Sequence, residues 1–188
     1  MKFFNTAGPI DPDRHYFLPN RLDNKEISML VDQQKYFIFH APRQSGKTTA
    51  IRELVKELNA EGTYKSLYVN VEPAQAGRGN VKEGIISILE ALREDIDETF
   101  GADDPGMLFF KNNLHEQTSS LMLLKTFLCY WSKNSDKPIV LFIDEIDTLV
   151  GDTLISVLRQ LRAGHTNRPK AFPQALCLIG VRDVRDYR

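Results

Sequence analysis

The stretch from Tyr36 to Leu58 constrains the fold more than any other part of the 188-residue chain. Tyr36-Phe37-Ile38-Phe39-His40 is an aromatic and β-branched run of the kind found in buried strands, and Ala41-Pro42 ends it. Beyond Gly46-Lys47-Thr48, the residues Ile51, Leu54, Val55 and Leu58 recur at i, i+3, i+4 and i+7, which predicts a helix with one buried face. Gly62 stands where that helix should stop, because the residue past a helix end commonly takes a left-handed backbone. A buried strand leading through a short loop into a helix is the opening of a strand-helix-strand unit, and such units build parallel sheets.

The rest of the chain repeats that alternation. Leu67-Tyr68-Val69-Asn70-Val71 reads as a second strand, and Gly77-Arg78-Gly79-Asn80 as the loop before a helix with Val81, Ile85, Ile88, Leu89, Leu92 and Ile96 on one face. The opposite face carries Glu90, Glu94, Asp95, Asp97 and Glu98, a spacing that fits a solvated helix surface better than a cation site. Asp103-Asp104-Pro105-Gly106 reads as the end of this unit. A further helix is predicted from about Thr118 to Lys133, then a turn at Asn134 to Pro138 and a uniformly apolar strand, Ile139 to Ile143. A helix over Thr153–Arg162, a basic loop to Lys170 and a last strand from Ala175 to Val181 complete the series. The expectation is an α/β fold of three layers, with a parallel sheet between helices. Residues 1–35 form an N-terminal strap with one amphipathic helix, Glu26 to Gln33, and 36–188 form the core.

Composition narrows the function classes. A formal net charge of −1 and a pI near 6.4 give no global field toward nucleic acid or anionic lipid. The longest apolar run, Ile139 to Ile143, is far below the roughly 18 to 20 residues that cross a bilayer, and the N-terminus has no signal-peptide pattern. No membrane role and a cytoplasmic location are therefore expected. Cys129 and Cys177 sit in apolar stretches without a CxxC spacing and read as reduced core residues.

Two segments carry the chemistry. Ala41-Pro42-Arg43-Gln44-Ser45-Gly46-Lys47-Thr48 follows the pattern GxxxxGK[ST] with alanine in the first position, between a strand and a helix as the pattern requires. Consecutive backbone N–H groups at the positive end of a helix wrap phosphates, a lysine reaches the β- and γ-phosphates, and a hydroxyl faces Mg²⁺. Gly46, Lys47 and Thr48 supply those parts, with Thr49 next in the cofactor-binding segment. Arg43 could equally touch phosphate or face solvent. Asp144 and Glu145 lie at the carboxyl end of the Ile139–Ile143 strand, where ligands bind in open parallel sheets. Asp144 and Thr48 are the metal candidates, and Glu145 the residue that polarises an attacking water. Glu145 and Asp147 also fit a plainer role as caps of the following turn. The expected cofactors are ATP and Mg²⁺; the absence of an NKxD motif disfavours guanine.

The phosphate-loop pattern, Ile139 to Asp147, and the ending Leu178-Ile179-Gly180-Val181-Arg182-Asp183 together resemble the AAA-like P-loop ATPases of prokaryotes, near their signal-transduction (STAND) and origin-recognition branches. The likeness extends to Asn5-Thr6-Ala7-Gly8-Pro9 and Arg14 to Pro19, which look like the box preceding the first strand. It implies a sheet order of 5-1-4-3-2, a γ-phosphate sensor at Arg182 alongside Lys47 and Glu145 in catalysis, and adenine contacts from His15, Tyr16 or Phe17, with Tyr16 the chosen candidate. Solvation of Arg182 and packing of the aromatic residues are the alternatives. It further implies ATP hydrolysis that drives a conformational switch or remodelling step, with a nucleotide-binding scaffold lacking turnover as the other reading. The family's fifth strand, arginine finger and helical lid have no counterpart in this sequence, so the core reads as C-terminally incomplete, with weak turnover and an open sheet edge for self-association or a protein partner. Arg159, Arg162, His165, Arg168 and Lys170 form a local basic cluster, which a solvated loop explains better than DNA binding.

Overall fold

A computed structural model of the protein describes residues 24–40, 46–116 and 118–180. In chain order these contain α1 (Asn24–Asp32), β1 (Tyr36–His40), α2 (Lys47–Glu61), β2 (Lys65–Asn70), α3 (Val81–Phe100), α4 (Pro105–Lys111), α5 (Ser120–Asn134), β3 (Ile139–Asp144), α6 (Gly151–Gly164) and β4 (Ala175–Gly180). Short 3-10 turns run over Glu72–Gly77, Ile146–Thr148 and His165–Asn167. The strands form one sheet in the order β1-β4-β3-β2, and every pairing is parallel. That is the expected order without its fifth strand: among the described residues β1 pairs with β4 alone.

Side chains alternate between the two faces of a strand, and each face has its own core. Tyr68, Val140, Phe142, Ala175, Cys177 and Ile179 pack with Ile27 and Val31 of α1 and with Ile51, Leu54, Val55 and Leu58 of α2. Leu67, Val69, Leu141, Ile143, Leu176 and Leu178 face the other way, against α3, α4, α5 and α6. The predicted face of α2 is the buried one, and each such aliphatic side chain contributes about 1.5 to 3 kcal/mol. Gly62 ends α2 at φ 77°, the left-handed conformation that favours glycine there. All six residues of β3 are buried, which fits its near-central place in the sheet.

One reading needs correction. Asp103-Asp104-Pro105-Gly106 does not simply end a unit: Gly101 ends α3, and Asp104 caps a new helix, α4, by accepting from Gly106 N at 2.7 Å. Pro105 occupies the first helical position, where its missing N–H costs nothing. Asp104 also accepts from Lys65 Nζ at 2.6 Å and from Trp131 Nε1 at 2.8 Å, so one buried carboxylate ties α4 to β2 and α5. Boundaries elsewhere move by a residue or two. α5 begins at Ser120, and Thr118 instead donates its hydroxyl to Leu114 O. Arg168 of the basic loop stacks over Tyr36 and donates to the carbonyl of Gln34, so its guanidinium is committed to the fold.

Candidate functional site

The site is built where β1 gives way to α2 and where β3 ends. Gly46 precedes α2 at φ 80°, a left-handed conformation cheap for glycine alone. Lys47 opens the helix and is 8% exposed, and Thr48 and Thr49 follow in the first turn, whose backbone N–H groups have no partners within the helix. Asp144 is the last residue of β3 and its side chain is 1% exposed.

Asp144 is surrounded by donors. Thr48 Oγ1 donates to its Oδ2 at 3.0 Å, Tyr68 Oη to the same atom at 2.8 Å, and the backbone N–H of Glu145 to its Oδ1 at 2.8 Å. Lys47 Nζ stands 3.6 Å from Asp144 Oδ1 and 3.7 Å from Glu145 Oε1, between the two carboxylates and beyond ordinary hydrogen-bond distance of either. Burial pushes the Glu145 carboxyl up from its usual range; Lys47 pulls it down, while Asp144, Asp147 and Glu72 add to the rise. Burial, and then the Asp144 charge, raise the Tyr68 phenol, which keeps its proton and acts as a donor.

Glu145 itself has φ 59° and ψ 35°, a left-handed backbone costing a non-glycine residue about 1 kcal/mol. The turn that follows holds it there: the Thr148 hydroxyl donates to Glu145 O at 2.7 Å and Thr148 N–H to the same carbonyl at 3.0 Å. Asp147 lies beside the end of β4, with Oδ1 only 3.1 Å from where a Cβ on Gly180 would sit. Strain at a residue just past a strand end, beside a buried lysine and aspartate, is a common mark of function.

Lys47, Thr48, Asp144 and Glu145 are thus brought together from sequence positions nearly a hundred apart. Ala41, Pro42, Arg43, Gln44, Ser45, Tyr16 and Arg182 lie outside the described residues. Two members of the site had no sequence signal. Tyr68 reads as one more residue of a strand, and nothing in the sequence marks Arg52, whose guanidinium lies 4.7 Å over the Tyr68 ring.

The donor set fits a magnesium ion bound with phosphate. A hard cation takes oxygen ligands, and magnesium commonly uses one or two protein oxygens beside phosphate and water, as Thr48 and Asp144 would provide. Among the described residues no group of three or more His, Cys, Asp or Glu side chains forms a self-contained metal cage. None of their helices is long and apolar enough to cross a membrane. A recess of about 270 Å³ beside Lys65, Phe100 and Lys137 opens at the amino end of β2, away from these groups.

A parallel sheet in this order, whose first strand leads into the helix carrying Gly46-Lys47-Thr48, has the P-loop nucleoside triphosphatase fold. The AAA domain family model matches residues 31–187, and the chain belongs to that family of nucleotide-binding domains. No curated protein matches the chain.

Proposed function

We propose that this domain binds ATP together with magnesium and hydrolyses it to drive a conformational switch or remodelling step in the cytoplasm. The observation that carries the reading is the position of Lys47 Nζ, 3.6 Å from Asp144 and 3.7 Å from Glu145, with Thr48 hydrogen-bonded to Asp144. A lysine held by charge between two acids, but locked to neither, can turn to a triphosphate at small cost. Thr48 and Asp144 would hold the magnesium, which when bound neutralises phosphate charge.

Each residue then has a distinct task. The N–H groups of Gly46, Lys47, Thr48 and Thr49 at the start of α2 bind phosphate oxygens, with Ala41, Pro42, Arg43, Gln44 and Ser45 completing the wrap. Lys47 carries charge to the β- and γ-phosphates. Once Lys47 has moved, the Glu145 carboxylate is left to orient a water and to polarise its O–H bond. The Thr148 hydroxyl and N–H bonds to its carbonyl fix the backbone that presents it. Arg182 acts as the sensor of the γ-phosphate and Tyr16 contacts the adenine. The likeness of residues 5–19 and 178–183 supports a place near the signal-transduction and origin-recognition branches. Ile38, 45% exposed on β1, supports pairing of that edge with a protein partner or a second copy.

The test compares magnesium-dependent ATP binding and turnover for wild type, Lys47→Ala and Glu145→Gln at several protein concentrations. Binding lost in Lys47→Ala, with Glu145→Gln binding normally and turning over about 100-fold more slowly or less, is the expected pattern. Equal binding by wild type and Glu145→Gln without turnover at any concentration makes the domain a nucleotide-dependent scaffold instead.

A further inference from the structure

Asp144 is tied to a residue outside the phosphate loop and outside its own strand. Tyr68 and Asn70 of β2 are in register with Phe142 and Asp144 of β3, so all four side chains leave the sheet on the α2 face. Tyr68 is two residues short of the level of Asp144, about 6.6 Å along the strand, and the length of its phenol spans that step. Its hydroxyl therefore reaches Asp144 Oδ2 at 2.8 Å from a ring packed in the core and 7% exposed. The Arg52 guanidinium, 4.7 Å over the ring, covers it from α2.

Counting the acceptor positions on Asp144 shows what this contact does. A carboxylate offers about four lone-pair directions. Oδ1 uses one for the Glu145 N–H and has Lys47 nearby; Oδ2 accepts from both Thr48 and Tyr68. When Lys47 leaves for phosphate, the Glu145 N–H alone holds Oδ1, and the two hydroxyls together decide the rotation of the carboxylate. With Thr48 giving its proton to Oδ2, its oxygen lone pairs face outward. Without Tyr68, the carboxylate can turn about its last bond and Thr48 can follow it.

We propose that Tyr68, covered by Arg52, is a positioning residue that fixes the Asp144 carboxylate so that Asp144 and Thr48 receive the magnesium of a bound nucleotide. This rests on the ATP-magnesium reading above.

The deciding quantity is metal coupling: the ratio of ATP affinity in excess magnesium to that in EDTA, measured for wild type, Tyr68→Phe and Arg52→Gln. Tyr68→Phe keeps the ring in the core and removes only the hydroxyl. The coupling ratio is expected to fall about five- to tenfold in Tyr68→Phe, the scale of one typical lost hydrogen bond, with affinity in EDTA unchanged. In Arg52→Gln the fall is smaller, about twofold. A second readout needs no nucleotide: urea unfolding of Tyr68→Phe, Asp144→Asn and the double variant should show non-additive losses of about tenfold in the folding equilibrium.

A ratio in Tyr68→Phe equal to or above that of a responsive wild type overturns the inference and leaves the ATP-magnesium reading intact. Additive losses in the unfolding cycle also overturn it. A wild type whose ATP affinity ignores magnesium sinks both. Loss of affinity in EDTA as well as in magnesium would make Tyr68 a general structural residue and overturn the positioning role.

Discussion

The two ends of the sheet each bury an aspartate beside a lysine, and the donors around the two are arranged differently. At the amino end Asp104 meets Lys65 at 2.6 Å and is also held by Trp131 Nε1 and by the Gly106 N–H. Every donor is close, and Lys65 has one fixed partner of this kind, Asp136 standing farther off at 3.7 Å. At the carboxyl end Asp144 has close donors in Thr48, Tyr68 and Glu145 N, while its lysine stays at 3.6 Å and is shared with Glu145. Removing a close partner from a buried charge leaves that charge uncompensated, whereas a cation held at longer range can depart. The lesson is that burial of an ion pair does not define its role; the distribution of short contacts around it does.

The strongest way to break this contrast is Lys65→Met. It should cost about 3 to 5 kcal/mol in urea unfolding, because Asp104 then has a fully buried carboxylate without its cation. A loss under about 1 kcal/mol would mean that Trp131 and the Gly106 N–H suffice, and the contrast would collapse. Lys47→Met is the complementary change. Three other donors remain on Asp144, so nucleotide-free stability should fall by no more than about 1 kcal/mol while ATP binding disappears.

The smallest effect sharpens the scale. Asp95 on α3 is half-buried without a short ion pair among the described residues, and burial pushes its carboxyl up to about 6 despite the pull of Arg52, with Glu98 and Glu94 adding to the rise. A folded-state value above the unfolded one means that the folded protein holds the proton more tightly. This contribution is therefore present in full below about pH 4 and is lost as pH rises through about 6. Asp95→Asn should flatten stability across that window and raise it at pH 7 by about 1 kcal/mol, after discounting for solvent around a partly exposed group. A pH profile identical to wild type would show that solvent reaches Asp95 freely.

What could be read in the sequence was local in character. The spacing of Ile51, Leu54, Val55 and Leu58 gave α2 and its buried face, since periodicity is a property of consecutive residues. Val81 to Ile96 did the same for α3, and the unbroken apolar run of β3 marked a strand covered on both sides. The α4 helix was obscured because Pro105-Gly106 signals a turn as strongly as Asp104-Pro105 signals a helix start, and only the burial of Met107 and Phe109 against the α3 and α5 side chains decides between them. Lys47, Thr48, Asp144 and Glu145 were legible because a chemical pattern fixes their kinds and spacing along the chain.

Tyr68 and Arg52 were not legible, for a physical reason. Nothing in Leu67-Tyr68-Val69 distinguishes a core tyrosine from one whose hydroxyl ends at a carboxylate, because that depends on register with a strand more than seventy residues away. The same holds for Asp104, Lys65 and Trp131, which meet only after three elements have packed. By itself the sequence determined most of the helices and strands, though not α4, and marked the residues proposed to carry the chemistry, since both follow from neighbours on the chain. Tertiary structure alone decided which donors surround each buried acid, because strand register and helix packing set those distances and neither is written in any one segment.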